Sequence, residues 1–308
     1  MLRAFFVHLS ENRSLRNFAE RSALGRRVSG RFVAGTEIAD AVRVTQAVNR
    51  AGMSVTIDNL GENVTNPDEA RQSAELYHQI LEAITASQLK ANISLKLTHM
   101  GLDVDEALAR HLVGGLVAKA ASMSPPGFVR VDMEGSPYTQ RTLDFVHELH
   151  RMPGNANSVG TVVQAYLKRS ESDIEKLLAE RIRIRLCKGA YKEPATIAFE
   201  SKADVDRNYV KLMKTLMKSG IYHGLATHDE KIIRQAQDFA AREKIARDSF
   251  EFQMLYGIRR DLQQSLVREG WRMRVYVPFG TEWYPYFMRR LGERPANVFF
   301  IARNLLRQ

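Results

Sequence analysis

Eight short runs rich in β-branched and aromatic residues alternate with longer stretches of helical periodicity from residue 53 onward. The runs are SVTIDNL (54–60), NISLKLT (92–98), FVRVDME (128–134), GTVVQAY (160–166), IRIRLCKGA (182–190), GLATH (224–228), FEFQMLYG (250–257) and MRVYVPFG (273–280). Each begins a few tens of residues after the previous one, as βα repeats do. Eight such repeats predict an α/β fold, a closed (βα)8 barrel of the TIM type.

An open, doubly wound sheet is the competing architecture. No GxGxxG motif follows the first predicted strand, and eight units over about 255 residues suit the closed barrel better. Residues 1–50 precede the first strand and are predicted to form a helical arm packed on the barrel. We therefore expect an arm at 1–50 and one catalytic barrel domain at 51–308.

Charge and cysteine content restrict the kind of partner and compartment. The formal net charge is +10, but no block of like charges forms a basic tail, so we expect no nucleic-acid partner. The single cysteine, Cys187, excludes an internal disulfide framework and favours a reducing compartment. No run of about 18 apolar residues predicts a membrane span. We expect a cytoplasmic protein, in peripheral contact with an acidic membrane surface at most.

Polar residues cluster where the predicted strands end, which is where (βα)8 enzymes carry their active sites. They are Asp58, Glu62, Lys96, His99, Asp132, Glu134, Gln164, Arg185, Lys188, His228, Gln253 and Tyr276. Their spacing offers no convergent set of metal ligands, so no metal site is predicted.

Two of these positions leave a structural alternative open. Lys96 and Asp132 could be structural partners within the barrel. Arg185 shares its strand phase with Arg181 and Arg183, so part of that stripe could be solvated.

The segment KGAY, Lys188 to Tyr191, places a lysine, a glycine and a small residue at a strand end. Exposed backbone N–H groups and an ammonium are suited to a phosphate. Alone this is a weak signal. With Gln164 one strand earlier and Thr227–His228 one strand later, it could outline a dinucleotide cofactor.

The segment YFMRRLGE, Tyr286 to Glu293, follows the eighth strand. Helical spacing lets Glu293 orient Arg289 and Arg290. A solvated surface ion pair is the plain alternative, contributing at most about 1 kcal/mol. Because the neighbouring residues are aromatic and apolar, we favour a site in which two guanidiniums bind a small carboxylate.

Eight segments in this order resemble a known family. They are SLKLT, RVDMEGS, VVQAYLKR, RIRLCKGAY, ATHD, FEFQMLYG, VYVPFG and YFMRRLGERPAN. They are similar to the signature segments of the flavin-dependent proline dehydrogenases, particularly the bacterial single-function form. The resemblance runs from about residue 50 to the end of the sequence.

The resemblance implies a distorted (βα)8 barrel that binds FAD non-covalently and oxidises L-proline to Δ1-pyrroline-5-carboxylate. Electrons would then pass to a membrane quinone. It implies that Arg289, Arg290 and Lys96 hold the substrate carboxylate while Glu293 orients the arginines. Tyr276 and Leu255 would shape the substrate pocket.

The resemblance also implies roles at the cofactor. Arg185 would lie near the flavin N5, and Asp132 would hold the hydrogen-bond network of the site. The expected FAD contacts are Met133, Gln164, Arg185, Lys188, Gly189, Ala190, Thr227 and His228. Glu62 resembles a residue that pairs with the first arginine of the RRxxE motif as a gate.

The sequence departs from the family pattern at two points. Lys192 stands where some members carry a tryptophan after the KGAY tyrosine. We also expect the aldehyde dehydrogenase module of the bifunctional relatives to be absent, so that a separate pyrroline-5-carboxylate dehydrogenase would take the product.

Two rival functions come from different classes. One is a (βα)8 enzyme that forms a Schiff base through Lys96 or Lys188, since a desolvated lysine is a plausible nucleophile. The other is a non-enzymatic basic protein held to nucleic acid or acidic lipid by its charge.

Overall fold

Eight parallel strands close into a barrel in the computed structural model, which describes residues 29–293 and the side chains of residues 29–288. The strands are β1 (Ser54–Asn59), β2 (Ala91–Leu95), β3 (Val129–Val131), β4 (Val159–Gln164), β5 (Arg183–Cys187), β6 (His223–Ala226), β7 (Phe250–Leu255) and β8 (Met273–Phe279). They pair in chain order, and β1 closes the barrel on β8. The predicted fold is confirmed.

Helices connect the strands on the outside of the barrel. They are α1 (Ile38–Arg50), α2 (Pro67–Ala86), α3 (Glu106–Ser122), α4 (Ser136–Arg151), α5 (Ser170–Ala179), α6 (Lys202–Lys218), α7 (Glu230–Arg242), α8 (Arg260–Arg268) and α9 (Trp283–Glu293), with a short 3₁₀ turn at Thr98–Met100. No helix in the described part of the chain combines the length and apolar character needed to cross a bilayer.

Local sequence explains where several helices begin. The Asn66 side chain accepts a hydrogen bond from the Glu69 N–H (3.0 Å), and Pro67 occupies the first helical position of α2. Asp105 caps α3 in the same way, through the Leu108 N–H (3.0 Å). These caps fix the points at which the chain leaves the site-bearing loops.

The predicted arm at residues 1–50 falls partly outside the described residues, which begin at 29. Within the described part, α1 ends at Arg50, and a short segment before it joins the barrel. The Ala34 N–H donates to Pro278 O (2.9 Å), and the Gly280 N–H donates to Gly35 O (2.9 Å). The division at residue 50 stays a prediction.

The two faces of the strands differ sharply in polarity. Outward residues such as Val55, Ile57, Ile93 and Leu95 are fully buried against the helices in one continuous apolar core. Register partners share a face, and Arg185 reaches across the barrel to side chains of β1, β2 and β7, which shows which face points inward. The apolar core of this barrel therefore lies outside the sheet.

The inside of the barrel is filled by hydrogen-bonding and charged side chains. These are Thr56, Asp58, Asn92, Ser94, Arg130, Arg185, Glu251, Gln253, Arg274 and Tyr276. The same geometry shows which arginines of β5 are solvated. Arg183 and Arg185 both face inward, whereas Arg181 is exposed before the strand begins. Buried charge of this density requires pairing.

Helix α9 follows the carboxyl end of β8. The aromatic side chains of Trp283, Tyr284, Tyr286 and Phe287 pack with Phe32, Val33, Leu60 and Ile258 in a second apolar cluster. Leu255, at the carboxyl end of β7, packs against this cluster. The cluster holds α9 beside the carboxyl-terminal mouth of the barrel.

Candidate active site

A buried ion pair between Arg185 and Asp132 lies at the centre of the barrel. Arg185 Nη1 is 2.8 Å from Asp132 Oδ1, and their side chains are 7% and 14% exposed. An isolated charge at this depth would be costly, whereas a paired and hydrogen-bonded one is tolerated. The pair therefore fixes both side chains in one orientation.

Neighbouring strands satisfy the remaining groups of the pair. Arg185 Nε donates to Gln253 Oε1 (2.6 Å), and the guanidinium stacks on the Tyr276 ring with 5.1 Å between its carbon and the ring centroid. Asp132 accepts from Ser94 Oγ (2.6 Å) and from the Tyr276 hydroxyl (2.9 Å). Five strands or their carboxyl ends thus meet in one network.

Lys96 follows β2 at the rim of this network. Its Nζ lies 3.8 Å from Glu62 Oε1, on the loop after β1. Burial disfavours the charge of Lys96, but the carboxylates of Asp58, Glu62 and Asp132 outweigh that cost and raise its pKa above the ordinary value. The ammonium therefore stays charged and provides a fixed cation at the mouth.

Asp58 is fully buried on β1, and its carboxyl is the second group at this mouth with a shifted pKa. Burial raises the pKa of its carboxyl to about 6, with Lys96 opposing the shift and Asp132 adding to it. Its Oδ1 lies 3.5 Å from the Tyr77 hydroxyl, which donates to Ser94 O (2.7 Å). Helix α2 thereby supports both β1 and β2 from outside the barrel.

A second carboxyl group, Glu134, lines the rim after β3. It accepts from the Thr98 hydroxyl (2.6 Å) and the Thr98 N–H (3.1 Å), while burial raises its pKa. His99, on the same turn, has its pKa lowered to about 4 by burial and by the Lys96 charge. His99 is therefore neutral at physiological pH.

The predicted cofactor residues of β4 and β5 lie at the same mouth. Gln164 Nε2 donates to Glu134 O (2.8 Å). Gly189 has a φ of +107°, and a Cβ there would lie 2.1 Å from the Tyr166 ring, so only glycine fits. Ala190 is exposed, whereas Met133 is only 8% exposed and packs in the main core.

Lys188 is positioned by two carboxylates. Its Nζ lies 2.5 Å from Asp206 Oδ1 and 3.0 Å from Asp229 Oδ2. Lys202 contacts the same two carboxylates, so two ammonium groups and two carboxylates form one ion-pair cluster. This cluster was not predictable from the sequence, because its members come from three separate segments.

Thr227 and His228 follow β6 and tie it to β7. The Thr227 N–H donates to Gln253 O (3.1 Å), and the Leu255 N–H donates to His228 Nε2 (2.9 Å). Because Nε2 accepts a hydrogen bond, the ring proton of neutral His228 resides on Nδ1. This contact also positions Leu255, the expected pocket residue.

The structure brings Asp132, Arg185, Tyr276, Lys96 and Glu62 to one mouth of the barrel. The backbone of Arg289, Arg290 and Glu293 belongs to α9, but their side chains lie outside the described residues. Sequence reasoning missed Thr56, Ser94 and Tyr77. Thr56 and Ser94 share the strand phase of Asp58 and Lys96, a signal that could have found them, whereas Tyr77 sits on a helix and gave none.

Comparison with known proteins gives one consistent result. A family described as proline dehydrogenase matches residues 41–303. The chain is 43% identical over 311 residues to Proline dehydrogenase 1 of Bacillus subtilis (strain 168), covering 100% of both chains. It is 42% identical over 280 residues to Proline dehydrogenase of Deinococcus radiodurans, covering 90% of this chain and 89% of that protein.

Solved structures agree with the sequence comparison. Proline utilization A from Bdellovibrio bacteriovorus, inactivated by N-propargylglycine, superimposes with a TM-score of 0.80 at 25% identity over 87% of this chain. A structure of proline utilization A with proline bound in remote sites gives a TM-score of 0.74, also at 25% identity, over 90% of this chain. The present chain spans 32% of each of those proteins.

The position of Asp58 predicts a pH-dependent stability. Below about pH 3 the carboxyl is protonated in folded and unfolded chains, whereas between about pH 3 and 7 the folded state holds a proton that the unfolded state releases more readily. As pH rises through this window, the wild type should lose about 3 kcal/mol of unfolding free energy relative to Asp58→Asn. Denaturant unfolding of both proteins across this range measures the difference.

A matched control is Asp68→Asn, because the Asp68 side chain is 84% exposed on α2. Its stability difference from wild type should vary little with pH over the same window. A difference between wild type and Asp58→Asn that is flat from pH 4 to 7 would contradict the raised pKa.

Proposed function

The chain belongs to the proline dehydrogenase family, and from that premise we propose that it oxidises L-proline to Δ1-pyrroline-5-carboxylate with non-covalently bound FAD. The observation that carries the proposal is the Arg185–Asp132–Tyr276 network at the carboxyl-terminal mouth of the barrel, within the matched segment. It joins a buried cation to an aromatic wall where (βα)8 enzymes perform their chemistry.

The residues at this mouth fit a flavin. Gln164 uses its amide nitrogen on Glu134 O, while its Oε1 accepts no hydrogen bond from any side chain or backbone group between residues 29 and 288. That carbonyl oxygen is available to an N–H of the ring system. Gln164, Arg185, Thr227 and His228 would hold the cofactor, and Met133, Lys188, Gly189 and Ala190 would complete its contacts.

Lys188 would contact a phosphate of the cofactor from a fixed position. Its two carboxylate partners, Asp206 and Asp229, already offset its charge, so a phosphate would have to share the ammonium with them. The backbone turn at Gly189 adds the close approach that a phosphate or ring edge requires.

Substrate binding would use the cations on the other side of the mouth. Lys96, kept charged by its neighbouring carboxylates, would hold the substrate carboxylate together with Arg289 and Arg290. Glu293 would orient the two arginines. Leu255 and Tyr276 would form the walls that place the proline ring.

The reaction removes two electrons from a C–H bond next to the ring nitrogen. Bound FAD would supply the acceptor of that hydride at N5. As the C–H bond breaks, the nitrogen lone pair forms the C=N bond, so the substrate amine must already have lost a proton. Arg185, held by Asp132 and Gln253, would present a fixed positive charge that favours the reduced, anionic cofactor.

The proposed partners follow from this chemistry. Membrane quinone would reoxidise the flavin, and a net charge of +10 suits peripheral contact of a cytoplasmic protein with an acidic membrane surface. A separate pyrroline-5-carboxylate dehydrogenase would consume the product.

The Schiff-base alternative requires an uncharged lysine. Its first candidate, Lys96, has its pKa raised by Asp58, Glu62 and Asp132 in spite of burial, so the free amine is disfavoured. Lys188, the second candidate, contacts two carboxylates. Both lysines therefore lie beside carboxylates, which suits an ion-pairing role better than a nucleophilic one.

Turnover with L-proline tests the proposal. The protein loaded with FAD should convert L-proline to pyrroline-5-carboxylate with a quinone analogue as acceptor, detected as the cyclic imine by NMR. D-proline is the matched control, because its carboxylate and C–H bond cannot both occupy the same positions. Equal rates with both enantiomers, or no imine from L-proline with FAD bound, would refute the assignment.

The loop residue Glu62 is proposed to gate the site, since it lies beside Lys96 at the mouth. Glu62→Ala should change the KM for proline and the rate at which solutes reach the flavin by severalfold. Glu75→Ala, at an exposed position on α2, is the control and should match wild type. Unchanged proline affinity, turnover and flavin access in Glu62→Ala would remove the gate.

A further inference from the structure

A cavity of about 650 Å³ opens at the amino-terminal mouth of the barrel, opposite the site described above. Its walls come from residues that precede or begin strands, among them Ser54 of β1, Arg183 of β5, Tyr222 before β6 and Arg274 of β8. Its volume lies in the range of small-molecule sites. The proposed proline reaction uses none of these residues.

The cavity has an excess of positive charge. Arg181, Arg183, Arg272 and Arg274 line it, with His150. Glu180, the only carboxylate among the lining residues that the structure describes, is bound by His147 (2.9 Å) and Arg151 (2.5 Å). The cavity wall therefore offers the arginines little negative charge to offset their positive charge.

The charges directly beneath the cavity do not balance it. Arg274 pairs with the buried Glu251 (2.6 Å). Arg130, 2% exposed, donates to the carbonyls of Thr161 (2.8 Å) and Arg183 (2.7 Å), and its Nε has no hydrogen-bond partner within the described residues. Of the guanidiniums of Arg130, Arg183 and Arg274, only that of Arg274 is paired with a carboxylate in the described part of the chain, since Asp132 is committed to Arg185.

Arg183 is held with its terminal nitrogens uncommitted. Its Nε donates to Tyr222 O (3.3 Å), and its guanidinium stacks on Phe128 (4.3 Å) and Tyr222 (5.1 Å). No carboxylate or carbonyl among residues 29–288 accepts from its Nη atoms. Arg272 lies on the same Tyr222 ring (5.9 Å), and its one ion pair with a described residue is a 3.6 Å contact to the exposed Asp248. Two guanidinium groups therefore stack on one aromatic side chain.

We propose that this cavity is a second ligand site, which binds a small, multiply charged oxyanion of the phosphate or polycarboxylate class. Guanidinium forks recognise both classes through paired N–H···O bonds, and an anion there would offset the charge that the wall leaves unbalanced. Arg183 and Arg272 would bind the oxygens, with Arg181 and His150 at the rim. The site is independent of the proline chemistry.

Isothermal titration of the full-length, FAD-loaded protein at constant ionic strength tests the site. One arm uses inorganic phosphate and pyrophosphate, the other malonate and citrate, with chloride as the reference anion. At least one arm should show saturable binding of one anion per chain. Binding in a single arm identifies the ligand class, and binding in both indicates recognition by charge and shape.

Variants locate the site. Arg272→Gln should weaken binding about tenfold, the effect of losing a hydrogen bond to a charged group, and Arg181→Gln should weaken it less. Arg268→Gln is the matched control, because Arg268 is an exposed arginine at the end of α8 that does not line the cavity. Arg272 is 55% exposed, so its replacement should leave the fold intact.

Two results would overturn the proposal. One is the absence of saturable binding in both arms, or binding that chloride reproduces at the same ionic strength. The other is equal affinity in Arg272→Gln and Arg268→Gln. Arg183→Gln provides a further test, since its thermal unfolding separates loss of the ligand from loss of the fold, and a folded variant should bind no anion.

Discussion

The buried ion pair between Arg185 and Asp132 is the interaction on which the barrel interior depends. Removing one partner of such a pair leaves the other charge uncompensated, which costs about 3–5 kcal/mol in comparable cases. Here the pair also anchors Gln253 on β7, Ser94 on β2 and Tyr276 on β8. Folding and site geometry are therefore coupled, since the contacts that make buried charge tolerable also fix the side chains at the carboxyl-terminal mouth.

The strands place apolar side chains outside the barrel and polar side chains inside it, which explains how one barrel has charged residues at both mouths. Apolar side chains face the helices and supply the hydrophobic core, so the interior is left to hydrogen-bonded layers. At the carboxyl end, Lys96 and Arg185 are balanced by Asp58, Glu62 and Asp132. At the amino end, only Arg274 pairs with a carboxylate, that of Glu251, whereas Arg130 and Arg183 donate to backbone carbonyls within the described residues. The first arrangement suits a polarised substrate held by balanced charges, and the second suits an anion.

Much of this could be predicted from sequence, because strands and helices leave periodic patterns along the chain. All eight strands were located to within a few residues, and the resemblance carried by segments such as RIRLCKGAY and YFMRRLGERPAN is confirmed by the family match over residues 41–303. The pairings were not predictable, since they join residues far apart in sequence. Lys188 meets Asp206 and Asp229, Tyr77 supports Ser94 from a helix, and the direction of Arg183 depends on register.

The Arg185–Asp132 network is proposed to position a flavin for oxidation of L-proline. The most direct measurement is anaerobic mixing of the FAD-loaded protein with L-proline, followed by absorbance at the flavin bands at ~370 and ~450 nm. The account predicts that the bands bleach in wild type and bleach far more slowly in Asp132→Asn at saturating proline, with a smaller effect in Tyr276→Phe. A protein that binds no flavin after reconstitution with FAD, or whose flavin L-proline does not reduce, would contradict it.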